Sequence, residues 1–258
     1  MCKTRCGRKS SRFWESEIRV LRSIWIWFSA SALILLWLPL LAFIRLFDRD
    51  PARKRTARWM RRLGRCLGRV NPWRLHLSGE QNIRPGQAYV IVSNHQSLAD
   101  IPLLCYLRTD TKWMAKTELF KIPVVGWLMS MAGDVPVERG NARKAAQSLL
   151  ECGKCLRAGS SVVMFPEGTR SLDGKLLPFF DGPFQLAIRE QMPVLPVVVN
   201  GTLDALPRHT WLFGGTLDIF LTVLPEVSVA GLSTKQAPQL RDDVRARIER
   251  KLTEWDML

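Results

Sequence analysis

Asn94-His95-Gln96-Ser97-Leu98-Ala99-Asp100 places a histidine and a carboxylate five residues apart, directly after the apolar run Tyr89-Val90-Ile91-Val92. A buried strand of that kind delivers the histidine at its end, where the chain turns and side chains reach a cleft. An imidazole backed by a carboxylate is suited to taking a proton from an alcohol near neutral pH. Five residues advance a helix by 500°, so His95 and Asp100 do not share a helical face. The turn itself must bring the carboxylate back to the ring, where it would fix the tautomer and stabilise the imidazolium. The alternative is that Asp100 only caps the helix begun at Pro102 and His95 is an ordinary residue at the strand's end.

A second polar turn follows another apolar strand: Phe165-Pro166-Glu167-Gly168-Thr169-Arg170-Ser171. It offers a carboxylate, an arginine, hydroxyls, and a glycine where backbone can come close to a ligand. Arg170 suits phosphate oxygens and Glu167 could accept from a hydroxyl, while a plain Glu167–Arg170 ion pair is the structural alternative. Arg139, after Asp134-Val135-Pro136-Val137, and Lys116, after Trp113-Met114-Ala115, are further candidate cations. There is no Gly-x-Ser-x-Gly elbow and Cys105 has no evident partner, so a base acting directly on a substrate hydroxyl is expected rather than a protein-borne acyl nucleophile.

The elements that must position these groups alternate, as in an α/β domain. Strands are predicted at 73–77, 89–93, 112–115, 161–165, 194–199 and 217–223. Helices are predicted at 102–107, 124–132, 142–158, 183–191 and 239–255.

The net charge of +15 is unevenly spread. Residues 1–70 hold 17 Lys/Arg against 4 Asp/Glu, and residues 71–258 hold 21 against 19. A nearly neutral body argues against nucleic acid as the partner. The basic segment also contains Ile24–Ile44, 21 residues without a charge, long enough to cross ~30 Å of hydrocarbon. Too long for a signal core and lacking a clean cleavage site, it reads as a retained anchor. Basic residues on both sides leave its direction unset and also fit a segment that dips into one leaflet, bent at Pro39. On a helical wheel, residues 51–70 are amphipathic, with Arg58, Arg61, Arg62, Arg65 and Arg69 opposite Trp59, Met60, Leu63 and Leu67. Such a helix is expected to lie on anionic lipid, the alternative being that its apolar stripe packs on the domain. The expected division is therefore 1–70 as membrane-anchoring helices and 71–258 as the catalytic domain. The six scattered cysteines form no disulfide framework, and Cys152-Gly153-Lys154-Cys155 lacks the second pair a zinc site needs. A body facing the cytosol follows.

Taken together these blocks resemble the lysophosphatidic acid acyltransferase family (1-acyl-sn-glycerol-3-phosphate O-acyltransferases) of the glycerolipid acyltransferase superfamily. Asn94-His95 with Asp100 resembles its first block, in which the histidine is the base and the aspartate its partner. Lys116, Leu119, Pro123, Gly126, Gly133 and Arg139 follow the second, whose arginine is associated with the acceptor phosphate. Phe165–Ser171 resembles the acceptor-binding third block, and Pro193-Val194-Leu195-Pro196-Val197 the fourth. One stretch departs: relatives commonly read Phe-Lys-x-Gly-Ala-Phe where this chain has Phe179-Phe180-Asp181-Gly182-Pro183-Phe184.

The resemblance implies a mixed α/β sheet flanked by helices, with His95 and Asp100 catalytic and Lys116, Arg139, Glu167, Gly168, Thr169 and Arg170 holding the acceptor. It implies acyl transfer from acyl-CoA or acyl-ACP, as co-substrate, to the sn-2 hydroxyl of 1-acylglycerol-3-phosphate. No metal or organic cofactor is expected. The expected partners are a lysophospholipid, the acyl carrier and an anionic membrane surface, at the cytoplasmic face (the inner membrane in a bacterium). Another lysolipid, glycerol-3-phosphate as acceptor, or a catalytically silent lipid-binding protein are the alternatives.

Overall fold

Four residues, Val90–Ser93, form β2, and none of them meets solvent. A strand apolar on both faces belongs in the middle of a parallel sheet covered by helices on each side. The computed structural model describes residues 7–138, 140–207 and 209–256, with side chains between Glu17 and Trp255. Arg139 therefore lies outside the described residues.

Within that range β2 sits at the centre of a seven-stranded mixed sheet of order β1-β7-β6-β2-β5-β3-β4. The other strands are β1 (Trp73–Ser78), β3 (Thr111–Lys116), β4 (Val135–Val137), β5 (Ser161–Met164), β6 (Val194–Asn200) and β7 (Leu217–Val223). β6, β2, β5, β3 and β4 run in parallel, while β7 is antiparallel to β6 and carries β1 beside it. The carboxyl ends of the five parallel strands thus emerge along one edge, where the loops bearing the candidate residues begin.

One face of the sheet is covered by α6 (Ala142–Arg157), α7 (Gly182–Glu190) and α8 (Ala237–Asp256), which bury Cys152, Leu156, Phe184, Ala187, Val244 and Ile248 against it. The other carries α3 (Asp100–Leu104), with Leu103 and Leu104 packed on Tyr89, Ile91, Trp113 and Val163. The short α4 (Thr117–Phe120) and α5 (Val125–Ala132) link β3 to β4.

The basic segment forms α1 (Gly7–Phe47) and α2 (Lys54–Val70). Their junction is closed by Asp48, whose carboxylate accepts from the Thr56 backbone N–H at 2.8 Å and its hydroxyl at 2.5 Å. The expectation that α2 lays its apolar stripe on lipid is corrected here. Trp59, Met60, Leu63 and Leu67 pack against α1 and α5, around Leu41 and Leu128. Gly64 and Gly68 let α2 press on α3, since a Cβ on Gly64 would lie 2.3 Å from the Cys105 sulfur. Its polar face is also engaged: buried Arg61 pairs with buried Asp134, which accepts from the Trp113 N–H at 2.9 Å as well. A boundary at residue 70 would cut through one packed unit.

α1 lies along the body rather than standing away from it. Near its start Ser23 Oγ accepts from the Phe213 N–H at 2.9 Å, and the Trp27 indole N–H donates to the Trp211 carbonyl at 2.8 Å. Further on, Trp37 donates to the Trp59 carbonyl at 3.0 Å and Leu41 is fully buried. Its outer face is apolar and open, with Ile18, Leu21, Trp25, Phe28, Leu36, Phe43 and Leu46 all more than half exposed. By length and composition Glu17–Phe47 is sufficient to cross a membrane.

Candidate active site

The site is built where β2 and β5 end side by side. Asn94, the first residue past β2, uses its side-chain amide as a further rung of the ladder to β6. It donates to the Val199 carbonyl at 2.8 Å and accepts from the Val199 N–H at 2.9 Å. The chain then turns through His95–Ala99 into α3, whose first residue is Asp100. Three donors converge on a single oxygen: Asp100 Oδ2 meets His95 Nδ1 at 2.7 Å, the Gln96 N–H at 2.8 Å and the Ser97 N–H at 2.9 Å. The turn is thus an aspartate-closed loop, and the same carboxylate that folds it grips the ring. Asp100 Oδ1 is sealed from solvent with no partner among the described residues.

With Nδ1 on the carboxylate, Nε2 is the nitrogen left for a substrate, and it makes no hydrogen bond among the described residues. The imidazole lies flat on Phe165, ring centroids 3.9 Å apart and planes 14° from parallel. Phe165 in turn meets Trp113 at 6.2 Å, and the Arg61 guanidinium sits over Trp113 at 5.3 Å. These aromatic supports were missed in the sequence, where Phe165 reads as the end of a buried strand and the start of the polar turn, with no sign that its ring meets His95.

The second polar turn holds the histidine's own backbone. Glu167 Oε1 accepts from the His95 N–H at 2.7 Å, and the Ser171 N–H donates to the His95 carbonyl at 2.8 Å. Glu167 Oε2 accepts from the Leu177 N–H at 3.0 Å. Both carboxylate oxygens are therefore engaged, and the side chain is buried, 4% exposed. Burial pushes its carboxyl up to about 7, against the two backbone N–H groups that favour the ionised form. Glu167, expected to accept from a substrate hydroxyl, instead sits beneath the loop and fastens it.

Gly168 has φ of +68°, and a Cβ there would lie 2.7 Å from the Phe180 ring. Thr169 is exposed, and half-buried Arg170 forms no ion pair among the described residues, so the plain Glu167–Arg170 pair is absent. Lys116 ends β3 on the same edge as His95, open to solvent and 3.6 Å from Glu118. Asp181, the acidic departure, is bound by Arg241 of α8 at 2.7 Å. Leu98, Leu172 and Phe180, carried by the same loops, are exposed. The CxxC pair lies on α6 with both thiols free, and burial raises Cys152 far above the ordinary thiol range.

Comparison with known proteins agrees with this geometry. The acyltransferase family profile matches residues 74–200. The chloroplastic 1-acyl-sn-glycerol-3-phosphate acyltransferase of Brassica napus is 38% identical over 180 residues, 69% of this chain and 52% of that protein. The mouse 1-acyl-sn-glycerol-3-phosphate acyltransferase alpha is 33% identical over 174 residues, 67% of this chain and 61% of its own length. The chain thus spans between half and two-thirds of the length of these relatives. The crystal structure of the 1-acyl-sn-glycerophosphate acyltransferase PlsC from Thermotoga maritima superposes with a TM-score of 0.80 at 30% identity, covering 93% of this chain and 97% of that one. With 30% identity over nearly the whole of that structure, a shared fold and the matching acyltransferase profile, this chain belongs to the lysophosphatidic acid acyltransferase family.

Proposed function

We propose that this protein transfers an acyl chain from an acyl thioester, on coenzyme A or acyl carrier protein, to the sn-2 hydroxyl of 1-acylglycerol-3-phosphate, giving phosphatidic acid. The observation that carries the reading is the fixed histidine: Nδ1 on Asp100 at 2.7 Å, the backbone tied at both ends, and Nε2 left without a protein partner. Nε2 takes the hydroxyl proton as the oxygen attacks the thioester carbonyl. The tetrahedral intermediate then expels the thiolate, which recovers the proton from the imidazolium. A thioester brings its own leaving group, so general-base help to the alcohol, typically worth ~10²–10⁴-fold, is what the protein must add. Arg170, with Arg139 and Lys116, holds the acceptor phosphate as cations do. Gly168 lets the turn approach it, Thr169 orients the glycerol, and Glu167 keeps the base in place.

The reading extends to the membrane. Contacts between α1 and the body run from Arg19 to Leu41, a stretch of roughly 33 Å at 1.5 Å per residue. A crossing along the bilayer normal would strip them away. We place α1 in one leaflet, its open apolar face among the acyl chains and its basic flanks at the anionic cytoplasmic surface. Exposed Leu98, Leu172 and Phe180 around the turn then meet the same leaflet, where a lysolipid resides.

The Phe180–Asp181 stretch supports a second reading of the acceptor alone, because Phe180 stands where relatives carry a lysine and neighbouring Asp181 engages Arg241. The test is acyl transfer by the full chain in detergent, with labelled acyl-CoA and acyl-ACP offered to a panel of lysolipids and glycerol-3-phosphate. Phosphatidic acid from lysophosphatidic acid, lost by about 10²–10⁴-fold in His95→Ala while membrane association persists, is expected. Turnover on a different lysolipid alone moves the acceptor, and an active His95→Ala protein overturns the mechanism.

A further inference from the structure

The opposite edge of the sheet holds a second cationic feature that the chemistry at His95 does not use. Where β3 begins, and just before β5, lies a cleft of about 420 Å³. Its walls carry Arg58, Arg61, Arg62 and Arg65 from α2, Arg84 from the loop before β2, and Arg108 from the loop before β3. Of the residues that also line it, Thr111 opens β3 and Gly159 precedes β5, whereas His95 and Glu167 follow β2 and β5. The cleft and the reacting centre are therefore at opposite ends of the sheet.

Six guanidinium groups around so small a volume repel one another unless something negative joins them. Four have a carboxylate. Arg58 grips Asp110 at 2.5 and 2.7 Å, Arg61 holds Asp134, Arg84 holds Glu226, and Arg108 meets Glu80 at 2.9 Å. Arg62 and Arg65 have none within 4.0 Å among the described residues, and Arg62 instead lies on the face of Trp59, 4.3 Å from its centroid. The one carboxylate lining the cleft, Asp110, already has both oxygens on Arg58. Two positive charges are thus left over in a concave site of ligand-binding size, with planar donors that match phosphate oxygens in pairs.

We propose that this cleft binds a phosphate-bearing ligand at a second site, either the headgroup of an acidic lipid or a soluble phosphate ester. The lipid source has α1 in its favour: its exposed carboxyl-terminal residues Phe43, Leu46 and Phe47 lead directly into the helix that carries four of the arginines.

The experiment is calorimetric titration of the full chain in detergent with two probes, inorganic pyrophosphate and dihexanoyl phosphatidic acid, against dihexanoyl phosphatidylcholine as blank. An Arg170→Gln background weakens phosphate contacts at the reacting centre, and sensitivity to the cleft variants separates the two sites. Saturable binding of one or both probes is expected, weakened at least tenfold by Arg62→Gln/Arg65→Gln on α2 and, independently, by Arg84→Gln on the facing loop. In the wild-type background, the Arg62→Gln/Arg65→Gln protein should keep its acyl transfer in detergent within about threefold. Pyrophosphate binding alone identifies a soluble ester, and phosphatidic acid alone a lipid headgroup. Binding of neither probe, or binding that Arg84→Gln leaves untouched, overturns the proposal. Circular dichroism melts confirm that each variant folds, and Arg108→Gln replaces Arg84→Gln if that variant does not.

Discussion

Replacing Glu167 with glutamine separates two roles for this residue. The structure has Glu167 buried with one oxygen on the His95 N–H and the other on the Leu177 N–H. Glutamine keeps the shape but turns an amide NH₂ toward one of those donors, so one backbone bond is lost, a cost of about 1–3 kcal/mol. Set against this is a cost that only glutamate bears. Its carboxyl is held up at about 7 rather than the ordinary 4.5, so keeping it ionised in the fold costs about 3 kcal/mol at 1.36 kcal/mol per tenfold change in proton affinity. The folded protein binds this proton more tightly than the unfolded chain. Stability therefore falls as pH rises from about 4.5 to about 7 and is flat above that.

Glu167→Gln removes the slope. At pH 5 the variant should melt several degrees below wild type, and near pH 8 the gap should close or reverse. Scanning fluorimetry across pH 5–8.5 reads this directly. In activity, the loosened His95 backbone should lower kcat by about 10–100-fold, since an ångström of misplacement can cost about 100-fold. KM for the lysolipid should stay within about threefold. If KM instead rises tenfold with kcat unchanged, Glu167 touches the acceptor and the positioning argument is refuted. A melting gap independent of pH would refute the electrostatic half.

Three further substitutions probe the same scaffold. Asp100→Asn keeps an acceptor for His95 Nδ1 but removes the charge and buries an NH₂ at the unpartnered Oδ1 position; kcat should fall about 100-fold in single turnover, ~2.7 kcal/mol, with KM little changed. Asp134→Ala strands buried Arg61 and leaves nearby Lys112, whose amine burial lowers to about 8, without its carboxylate. A loss of about 3–5 kcal/mol follows, read as a melting point roughly 10 °C lower or as failure to fold. Gly168→Ala meets both a positive φ and the Phe180 ring, and should cost about 1–2 kcal/mol for the backbone alone. Adding Phe180→Ala should recover only part of that loss, as measured by chemical denaturation.

Much of the scaffold was legible because its strands are short, apolar and bounded by turn residues. Val90–Ser93, Ser161–Met164 and Leu217–Val223 fall within a residue of their predicted limits. Pairing was not legible: nothing in the local pattern of Leu217–Val223 says that it runs antiparallel to β6 or carries β1. The His95–Asp100 contact was readable as a requirement of the turn, since five residues could not align the pair on a helix. The burial of Glu167 was not. A carboxylate in a polar turn looks the same whether it faces a ligand or two backbone amides, and only β2 lying beside β5 decides between them. The wheel of α2 showed a stripe without showing what covers it, because Leu41 of α1 and Leu128 of α5 are far away in sequence.

The way α1 docks also bears on how the molecule is made. Its Ser23 finds its partner in Phe213, 190 residues further along the chain. At about 5–20 residues per second of synthesis, roughly 10–40 s pass between the emergence of the two. During that interval the part of α1 around Ser23 and Trp27 lacks the surface on which it will rest. Whatever shelters it on the ribosome, a bilayer or a chaperone, must later give back one side of the helix while keeping the other. Assembly is thus a hand-over, in which α1 can meet the Trp211–Phe213 loop only after most of the sheet has been made.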